Sequence, residues 1–155
     1  MAPRHLTITQ KIIVNLQMNV SEKTLKIKNL GFQVSISKVF PVSTETMWEF
    51  LLSEEGIAVW LGTMSIDDFE IQKPFTTDEG IEGKVTVFIP NCHLRLKWKP
   101  KHWEKLSTIE LRVTNRKGRA SVVFHQTGFF EIEKQEEMRT YWKNIILKMN
   151  DELIA

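Results

Sequence analysis

The sequence predicts an α+β domain in which an antiparallel β-sheet is covered on one face by a long C-terminal helix. Residues 69–128 consist of short strand-like runs joined by turns, and such turns favour antiparallel pairs because parallel neighbours need crossovers of about a dozen residues or more. The segment Gln135–Ile154 has a single apolar stripe at intervals of three and four, formed by Met138, Trp142, Ile145, Ile146, Met149 and Leu153. Only the strands offer enough apolar surface to bury that stripe.

The first strand is expected at Phe32–Phe40. Phe32, Val34 and Ile36 alternate with polar residues, which is typical of a half-buried strand. Pro41 ends this strand because proline cannot donate a hydrogen bond to a neighbouring strand.

Two short helices are expected to follow. Ser43 or Thr44 can cap the first helix, which runs to about Ser53, with a buried stripe of Met47, Trp48, Leu51 and Leu52. Gly56 interrupts this helix. A second helix then ends at Gly62, with Ile57, Trp60 and Leu61 as its apolar residues.

Five further strands are expected before the C-terminal helix, at about Phe69–Pro74, Lys84–Ile89, Leu94–Lys99, Ser107–Thr114 and Arg119–Thr127. The last two are expected to form a hairpin with Lys117-Gly118 as its loop, whereas another loop length would turn one of the two strands over. The Lys117-Gly118 loop places Val113 opposite Val122, Leu111 opposite Phe124, and Ile109 opposite Gln126 on the inner face. The same alternation places Val85, Val87, Ile89, Leu94, Leu96 and Trp98 inside and His125 outside.

Length and charge limit the organisation of the chain. Its 155 residues, 42% hydrophobic and 26% charged, suit one domain. We assign it to residues 32–155 and treat residues 1–31 as an N-terminal appendage. This appendage is expected to be an arm that packs on the domain or is partly disordered, with a dimer contact or a remnant of another element as the alternative. The formal charge of +2 arises from 21 basic and 19 acidic residues, a balance too even for a dedicated nucleic-acid-binding protein.

Cysteine content and hydropathy indicate the compartment. Cys92 is the only cysteine, so no intrachain disulfide can form, which suits a reducing environment and predicts a cytoplasmic protein. No segment reaches the roughly 18 apolar residues of a membrane-spanning helix.

No motif in the sequence supplies a catalytic or metal-binding set. The chain lacks a nucleophile elbow, a phosphate-binding glycine loop and paired metal-ligand motifs. Cys92-His93 and His102 are the nearest approach to a zinc site, and one thiol with two separated imidazoles is a weak signal. We therefore expect no enzyme, no metal and no cofactor.

Several local sequences, in this order and spacing, resemble the START-like (SRPBCC) superfamily, and within it the branch related to the C-terminal domain of the heat-shock-protein-90 ATPase activator. The resemblance covers about Phe32 to Leu153. It is carried by Ile36-Ser37-Lys38-Val39-Phe40-Pro41-Val42, Met47-Trp48-Glu49-Phe50-Leu51, Trp60-Leu61-Gly62, Glu82-Gly83-Lys84-Val85-Thr86-Val87, Leu94-Arg95-Leu96-Lys97-Trp98, Val122-Val123-Phe124-His125-Gln126-Thr127-Gly128-Phe129 and Tyr141-Trp142-Lys143-Asn144-Ile145.

The resemblance implies a helix-grip fold, like that of the birch pollen allergen, in which a bent antiparallel sheet wraps around the C-terminal helix. Members generally enclose an apolar cavity between sheet and helix for hydrophobic small molecules, and a few are enzymes. Relatives often have a histidine at the position of Gln126, so no role of that histidine is carried over.

The sequence therefore favours a non-enzymatic module that binds an apolar or aromatic small molecule between sheet and helix. Gln126 is its expected polar contact. The candidate lining residues are Trp48, Trp60, Val87, Leu96, Trp98, Leu111, Val113, Val122, Phe124, Gln126, Met138, Trp142, Ile145 and Met149. Two alternatives stay open: a protein-interaction or chaperone-linked module, with a protein partner or a homodimer, and, with less support, a hydrolase-like or cyclase-like enzyme.

Overall fold

The computed structural model describes residues 31–154. The expectations for residues 1–30 lie outside this range. The elements are β1 (Phe32–Phe40), α1 (Thr44–Leu51), α2 (Glu54–Trp60), a short 3₁₀ helix (Ile66–Asp68), β2 (Phe75–Thr76), β3 (Glu82–Ile89), β4 (His93–Lys99), β5 (Ser107–Arg116), β6 (Arg119–Phe129) and α3 (Ile132–Ile154).

The strands form a six-stranded antiparallel sheet in the order β1-β6-β5-β4-β3-β2. The helix α3 buries Met138, Trp142, Ile145, Ile146 and Met149, the stripe expected from its sequence apart from the partly buried Leu153. The predicted α+β helix-grip fold is confirmed. Among the described residues, no helix is long and apolar enough to cross a membrane.

The β5–β6 hairpin has the predicted register. Val113 pairs with Val122, Leu111 with Phe124, and Ile109 with Gln126. The loop residues Lys117 and Gly118 have φ angles of 52° and 84°, the left-handed pair that a two-residue hairpin loop requires. The loop therefore fixes which residues of β5 and β6 are paired, and the apolar alternation of β5 selects the face that points inward.

A β-bulge in β3 changes the face of the sheet on which the residues after it lie, relative to the prediction. Val85 pairs with Leu96, but Val87 pairs with Arg95, so one extra residue lies between them. Directly opposed residues share a face of the sheet. Val87 therefore lies on the outer face beside Arg95, and the expectation that Val87 and Ile89 point inward is wrong.

The predicted strand at Phe69–Pro74 is also wrong. A 3₁₀ helix precedes this segment, and its N-cap Ser65 accepts a hydrogen bond from the Asp67 N–H. Ile71 makes only an isolated bridge to Val85 and is 55% exposed. Phe69 packs against the core but Ile71 is exposed, so the alternation of this segment does not mark one buried face.

Serine side chains cap the N-termini of the two short helices and fix where each helix begins. The Ser43 side chain accepts a hydrogen bond from the Thr46 N–H at 3.1 Å, and the Ser53 side chain accepts one from the Gly56 N–H at 3.0 Å. The second helix thus starts before Gly56, which lies in its first turn rather than interrupting the chain. A Cβ at Gly56 would lie 1.7 Å from the Phe50 carbonyl oxygen, so the close contact between α1 and α2 requires glycine.

Candidate functional site

The space between the sheet and α3 is occupied by a cluster of aromatic side chains. Phe124 and Trp142 stack with ring centroids 4.7 Å apart and planes inclined by 17°. Trp98 lies 5.8 Å from Trp142, and Trp60 lies 6.0 Å from Phe124. All four side chains have no exposed surface. At these distances the rings are in direct contact and fill the centre of the fold.

A chain of buried hydrogen bonds runs through this cluster. The Trp142 Nε1–H donates to Gln126 Oε1 at 2.7 Å, and Gln126 Nε2 donates to Ser107 Oγ at 2.9 Å. The Ser107 hydroxyl donates in turn to the Trp98 carbonyl oxygen at 2.6 Å. Both ends of the Gln126 amide are therefore engaged by protein groups.

The other two indoles of the cluster donate to backbone carbonyl groups. Trp60 Nε1 lies 2.8 Å from the Leu51 carbonyl oxygen, and Trp98 Nε1 lies 3.4 Å from that of Leu61. The Tyr141 hydroxyl donates to the Trp60 carbonyl oxygen at 3.3 Å, and burial raises the pKa of this phenol well above its usual value. Tyr141 is therefore a neutral donor at physiological pH rather than a base.

The predicted lining residues converge on this interior, with Val87 as the exception. The other thirteen are buried: twelve belong to one apolar cluster, and the thirteenth is the polar Gln126. For the strand residues among them, burial agrees with the prediction that they lie on the inner face of the sheet. Their role as direct ligand contacts stays a prediction.

A separate cavity of about 540 Å³ lies at one end of the fold, which we call the open end. Three segments form it: the β4–β5 connection, the end of β6 and the first turn of α3. Its lining residues are His102, Trp103, Glu104, Lys105, Gly128, Phe129, Phe130, Glu131 and Lys134. Sequence reasoning identified none of them as site residues, because the three segments are far apart in the chain.

Two buried aromatic side chains, Trp103 and Phe129, lie directly behind the surface of this cavity. The rings of Trp103 and Phe129 lie 5.7 Å apart, and the Lys134 ammonium lies 4.7 Å from the Trp103 ring centroid, within cation–π distance. Trp103 was the available sequence signal, because a tryptophan in a connection between two strands must pack on another element of the fold.

Polar contacts hold the β4–β5 connection against α3. Glu137 accepts a hydrogen bond from Trp103 Nε1 at 3.1 Å through one oxygen, and its other oxygen lies 2.6 Å from His102 Nε2. Lys99 donates to the Trp103 carbonyl oxygen at 2.8 Å. These contacts fix the orientation of the Trp103 ring in the cavity wall.

The charges at the cavity are mixed. Lys134 lies 3.3 Å from Glu131 Oε2, which also accepts a hydrogen bond from the Phe130 N–H at 3.1 Å. That backbone hydrogen bond, helped by Lys134, lowers the pKa of Glu131. Lys105 supplies a second ammonium group in the lining. The cavity thus combines the exposed Phe130 ring with two ammonium groups, those of Lys105 and Lys134, and two carboxylates, those of Glu104 and Glu131.

The residues of the weak zinc signal are separated in the fold. Cys92 and His93 lie where β4 begins, whereas His102 follows its other end. Within residues 31–154, no three His, Cys, Asp or Glu side chains come together as potential metal ligands.

Comparisons with known proteins support the fold. DynU16, a protein of the dynemicin biosynthetic locus, has a TM-score of 0.71 and 13% identity over 79% of this chain, which spans 47% of that protein. MLL2253 from Mesorhizobium loti has a TM-score of 0.67 and 17% identity over 77% of this chain and 95% of that chain. The Aha1 dimer from Colwellia psychrerythraea has a TM-score of 0.65 and 18% identity, over 79% of this chain and 96% of its own.

No curated protein sequence matches the chain. The family model described as activator of Hsp90 ATPase homolog 1-like protein matches residues 41–153, which is more than half of the sequence. The chain therefore belongs to the activator of Hsp90 ATPase homologue 1-like family.

Proposed function

We propose that this protein is a non-enzymatic binding module for a small molecule with an apolar or aromatic body, and that its binding site is the cavity at the open end. The observation that carries this proposal is a cavity of about 540 Å³ whose lining joins the exposed Phe130 to the charged groups of Lys105, Glu104 and Glu131. Small-molecule sites are concave and combine apolar surface with polar groups that orient the ligand.

The packing of the interior favours the open end over the space beneath α3. A ligand between Phe124 and Trp142 would have to separate rings whose centroids are 4.7 Å apart. It would also have to replace the Trp142–Gln126 hydrogen bond, and an unpaired buried donor costs about 1–3 kcal/mol. At the open end a ligand could contact the exposed Phe130 without separating buried rings.

The lining favours a ligand that has both an apolar body and an acidic group. The apolar body could pack on the exposed Phe130, and the acidic group could pair with Lys105. The Trp103 ring is itself buried and has the Lys134 ammonium over it. We include a cytoplasmic location in this proposal, because the exposed Cys92 has a free thiol.

Titration with 1-anilinonaphthalene-8-sulfonate, followed by NMR of the five indole N–H groups, tests this proposal. We expect saturable 1:1 binding that shifts the Trp103 indole signal, assigned by its loss in Trp103→Phe. Phe130→Ser should weaken binding about 5- to 30-fold, because it removes one apolar contact worth roughly 1–2 kcal/mol. Leu147→Ser, a similarly exposed apolar position on α3 away from the cavity lining (62% exposed), is the control and should leave binding unchanged.

The same titration can contradict the proposal in two ways. Shifts confined to the Trp98 and Trp142 indoles would locate the ligand in the interior, as the sequence alone suggested. Equal affinity of Phe130→Ser and the unmodified protein would exclude the open end as the site.

Protein binding is the second candidate function, favoured by exposed apolar side chains beside the cavity. Phe130 is 55% and Ile132 is 50% exposed, and one structural neighbour is described as a dimer. Sedimentation of the unmodified protein and of Ile132→Ser tests self-association. A dimer that Ile132→Ser dissociates would support it, whereas a monomer at all concentrations would exclude it.

A further inference from the structure

The outer face of the sheet is basic. The helices α1, α2 and α3 bury their apolar side chains in one cluster with the inward-facing side chains of the strands, so they all lie on the inner face. The outward-facing positions of β3 to β6 have two carboxylates, at Glu82 and Glu110, and seven basic side chains, which give them a formal charge of +5. These seven, which we call the basic stripe, are Lys84, Arg95, Lys97, Lys99, Arg112, Arg116 and Arg119.

The rest of the described domain has the opposite charge. Residues 31–154 have 16 basic and 18 acidic side chains in total. Without those of the outer face, nine basic and 16 acidic side chains remain, a formal charge of −7. A separation of charge this large produces a directed field that attracts a partner of opposite sign to one face.

The basic stripe follows the direction of β5. Lys97 lies opposite Thr108 at one end of this strand, and Arg116 lies opposite Arg119 at the other. Eight residues of an antiparallel strand span about 27 Å, and cations at alternate positions are about 6.8 Å apart. An extended peptide with a carboxylate at every second residue has the same spacing.

Two like-charged pairs in the stripe lie directly across neighbouring strands. Lys84 is opposite Lys97, and Arg116 is opposite Arg119. None of these four side chains forms a salt bridge with a carboxylate of residues 31–154. Like charges directly opposite each other destabilise a sheet. A partner with carboxylates would relieve this repulsion.

The two carboxylates of this face leave most of its charge in place. Glu82 lies 2.7 Å from Lys99, and Glu110 lies 2.6 Å from Arg95 and 3.5 Å from Arg112. Glu110 thus serves two guanidinium groups at once. The Arg95 and Arg112 side chains are 44% and 52% exposed, so both remain accessible to a further acidic group.

We propose that the basic stripe binds an extended acidic segment of a partner protein, about eight residues long, with carboxylates at alternate positions. Thr108 and Thr114 lie on the same face, and their hydroxyl groups can donate to these carboxylates. None of the stripe residues lines the open-end cavity. The proposal therefore goes beyond ligand binding and does not depend on it.

A segment of another protein fits this face better than a nucleic acid does. The outward-facing positions of β4 and β5 include no Phe, Tyr or Trp on which unpaired bases could stack. Glu110 would repel a continuous row of phosphates, whereas a peptide can place an uncharged residue beside it. Residues 1–30 of this chain have five basic side chains and one acidic side chain, so their charge does not match the stripe.

Binding of a synthetic peptide to the full-length protein tests the proposal. The probe is a rhodamine-labelled peptide of ten residues, alternating glutamate and serine, followed by fluorescence anisotropy. We expect saturable binding at low salt that weakens about tenfold or more when the salt is raised, because salt screens exposed charges. In NMR spectra the Lys97, Glu110 and Arg112 amides should shift, and the Lys148 amide should not. The same peptide with glutamine in place of glutamate should not bind.

Variants of equal charge separate the stripe from the domain as a whole. Lys84→Gln with Arg116→Gln neutralises one member of each like-charged pair and should weaken peptide binding about 5- to 10-fold. Lys143→Gln with Lys148→Gln removes the same charge from exposed positions of α3 and should leave binding unchanged. The urea midpoint of the stripe variant should stay equal or rise, because its repulsion is relieved. Weaker binding then cannot result from unfolding.

Four outcomes would overturn the proposal. They are the absence of peptide binding, equal losses of binding in the two double variants, and tighter binding of a ten-nucleotide single-stranded DNA than of the peptide. The fourth is self-association in sedimentation that Lys84→Gln with Arg116→Gln abolishes, because the acidic side of a second copy would then occupy the stripe.

Discussion

The indole N–H of Trp142 donates to the side-chain oxygen of Gln126 at 2.7 Å, and neither residue has any exposed surface. Trp142 comes from the helix and Gln126 from the sheet strand β6. This single hydrogen bond therefore ties the two layers of the fold at their centre, where the sequence suggested a ligand contact. Because the amide of Gln126 also donates to Ser107, the residue has a structural role whether or not a ligand approaches it.

Replacing Gln126 should destabilise the protein. Gln126→Leu leaves the Trp142 N–H without its acceptor in a buried site, and we expect a loss of about 1–3 kcal/mol in the free energy of unfolding by urea denaturation. Adding Trp142→Phe removes that donor. The double variant should therefore lose less unfolding free energy than the two single variants together. Losses that add strictly would show that Gln126 and Trp142 are not energetically coupled.

Trp142→Ala tests whether the interior is close-packed. The ring contacts Phe124 and Trp98, so its removal should cost about 3–5 kcal/mol of unfolding free energy. Leu147→Ala on the same helix, 62% exposed, should change it by less than about 0.5 kcal/mol. A loss near 1 kcal/mol for Trp142→Ala would instead indicate that the ring borders an existing void.

The bulge in β3 predicts opposite responses at two neighbouring valines. Val85 is 1% exposed on the inner face, so Val85→Thr buries a hydroxyl group among apolar side chains and should cost about 1–3 kcal/mol. Val87→Thr faces outward beside Arg95 and should change the free energy of unfolding by less than about 0.5 kcal/mol. Equal costs at the two positions would contradict the register of β3 with β4.

His93 should make stability depend on pH. Its Nε2 atom is buried without a hydrogen-bond partner among the described residues and lies 3.9 Å from Glu110 Oε2. Burial lowers the pKa of His93 below its ordinary value of 6.5, and Arg112 and Arg95 lower it further against the opposing charge of Glu110.

The sign of this effect follows from proton binding. The unfolded chain binds a proton near pH 6.5, whereas the folded protein binds one only at lower pH, so the free energy of unfolding falls as pH drops below about 6.5. The slope for one proton is at most about 1.4 kcal/mol per pH unit. In His93→Phe, the urea midpoint should depend less on pH between pH 7 and the pKa of His93 in the folded protein. An unchanged dependence would exclude His93 as the cause.

Patterns that are local in the chain determined most of the fold. The Lys117-Gly118 loop set the register of β5 and β6, because a two-residue hairpin leaves one pairing for the strands it joins. The period of the C-terminal helix selected the stripe around Trp142, because helix geometry alone places those side chains on one face. Both predictions needed no information about distant residues.

The tertiary structure decided what depends on distant neighbours. The bulge that turns Val87 outward follows from the pairing of β3 with β4, which no period within β3 reveals. Gln126 pairs with Trp142 because two layers meet there, so its identity as a buried connector required both layers. The open-end cavity joins Trp103, Phe129 and Lys134, which come from three separate segments and become neighbours only when the sheet closes around the helix.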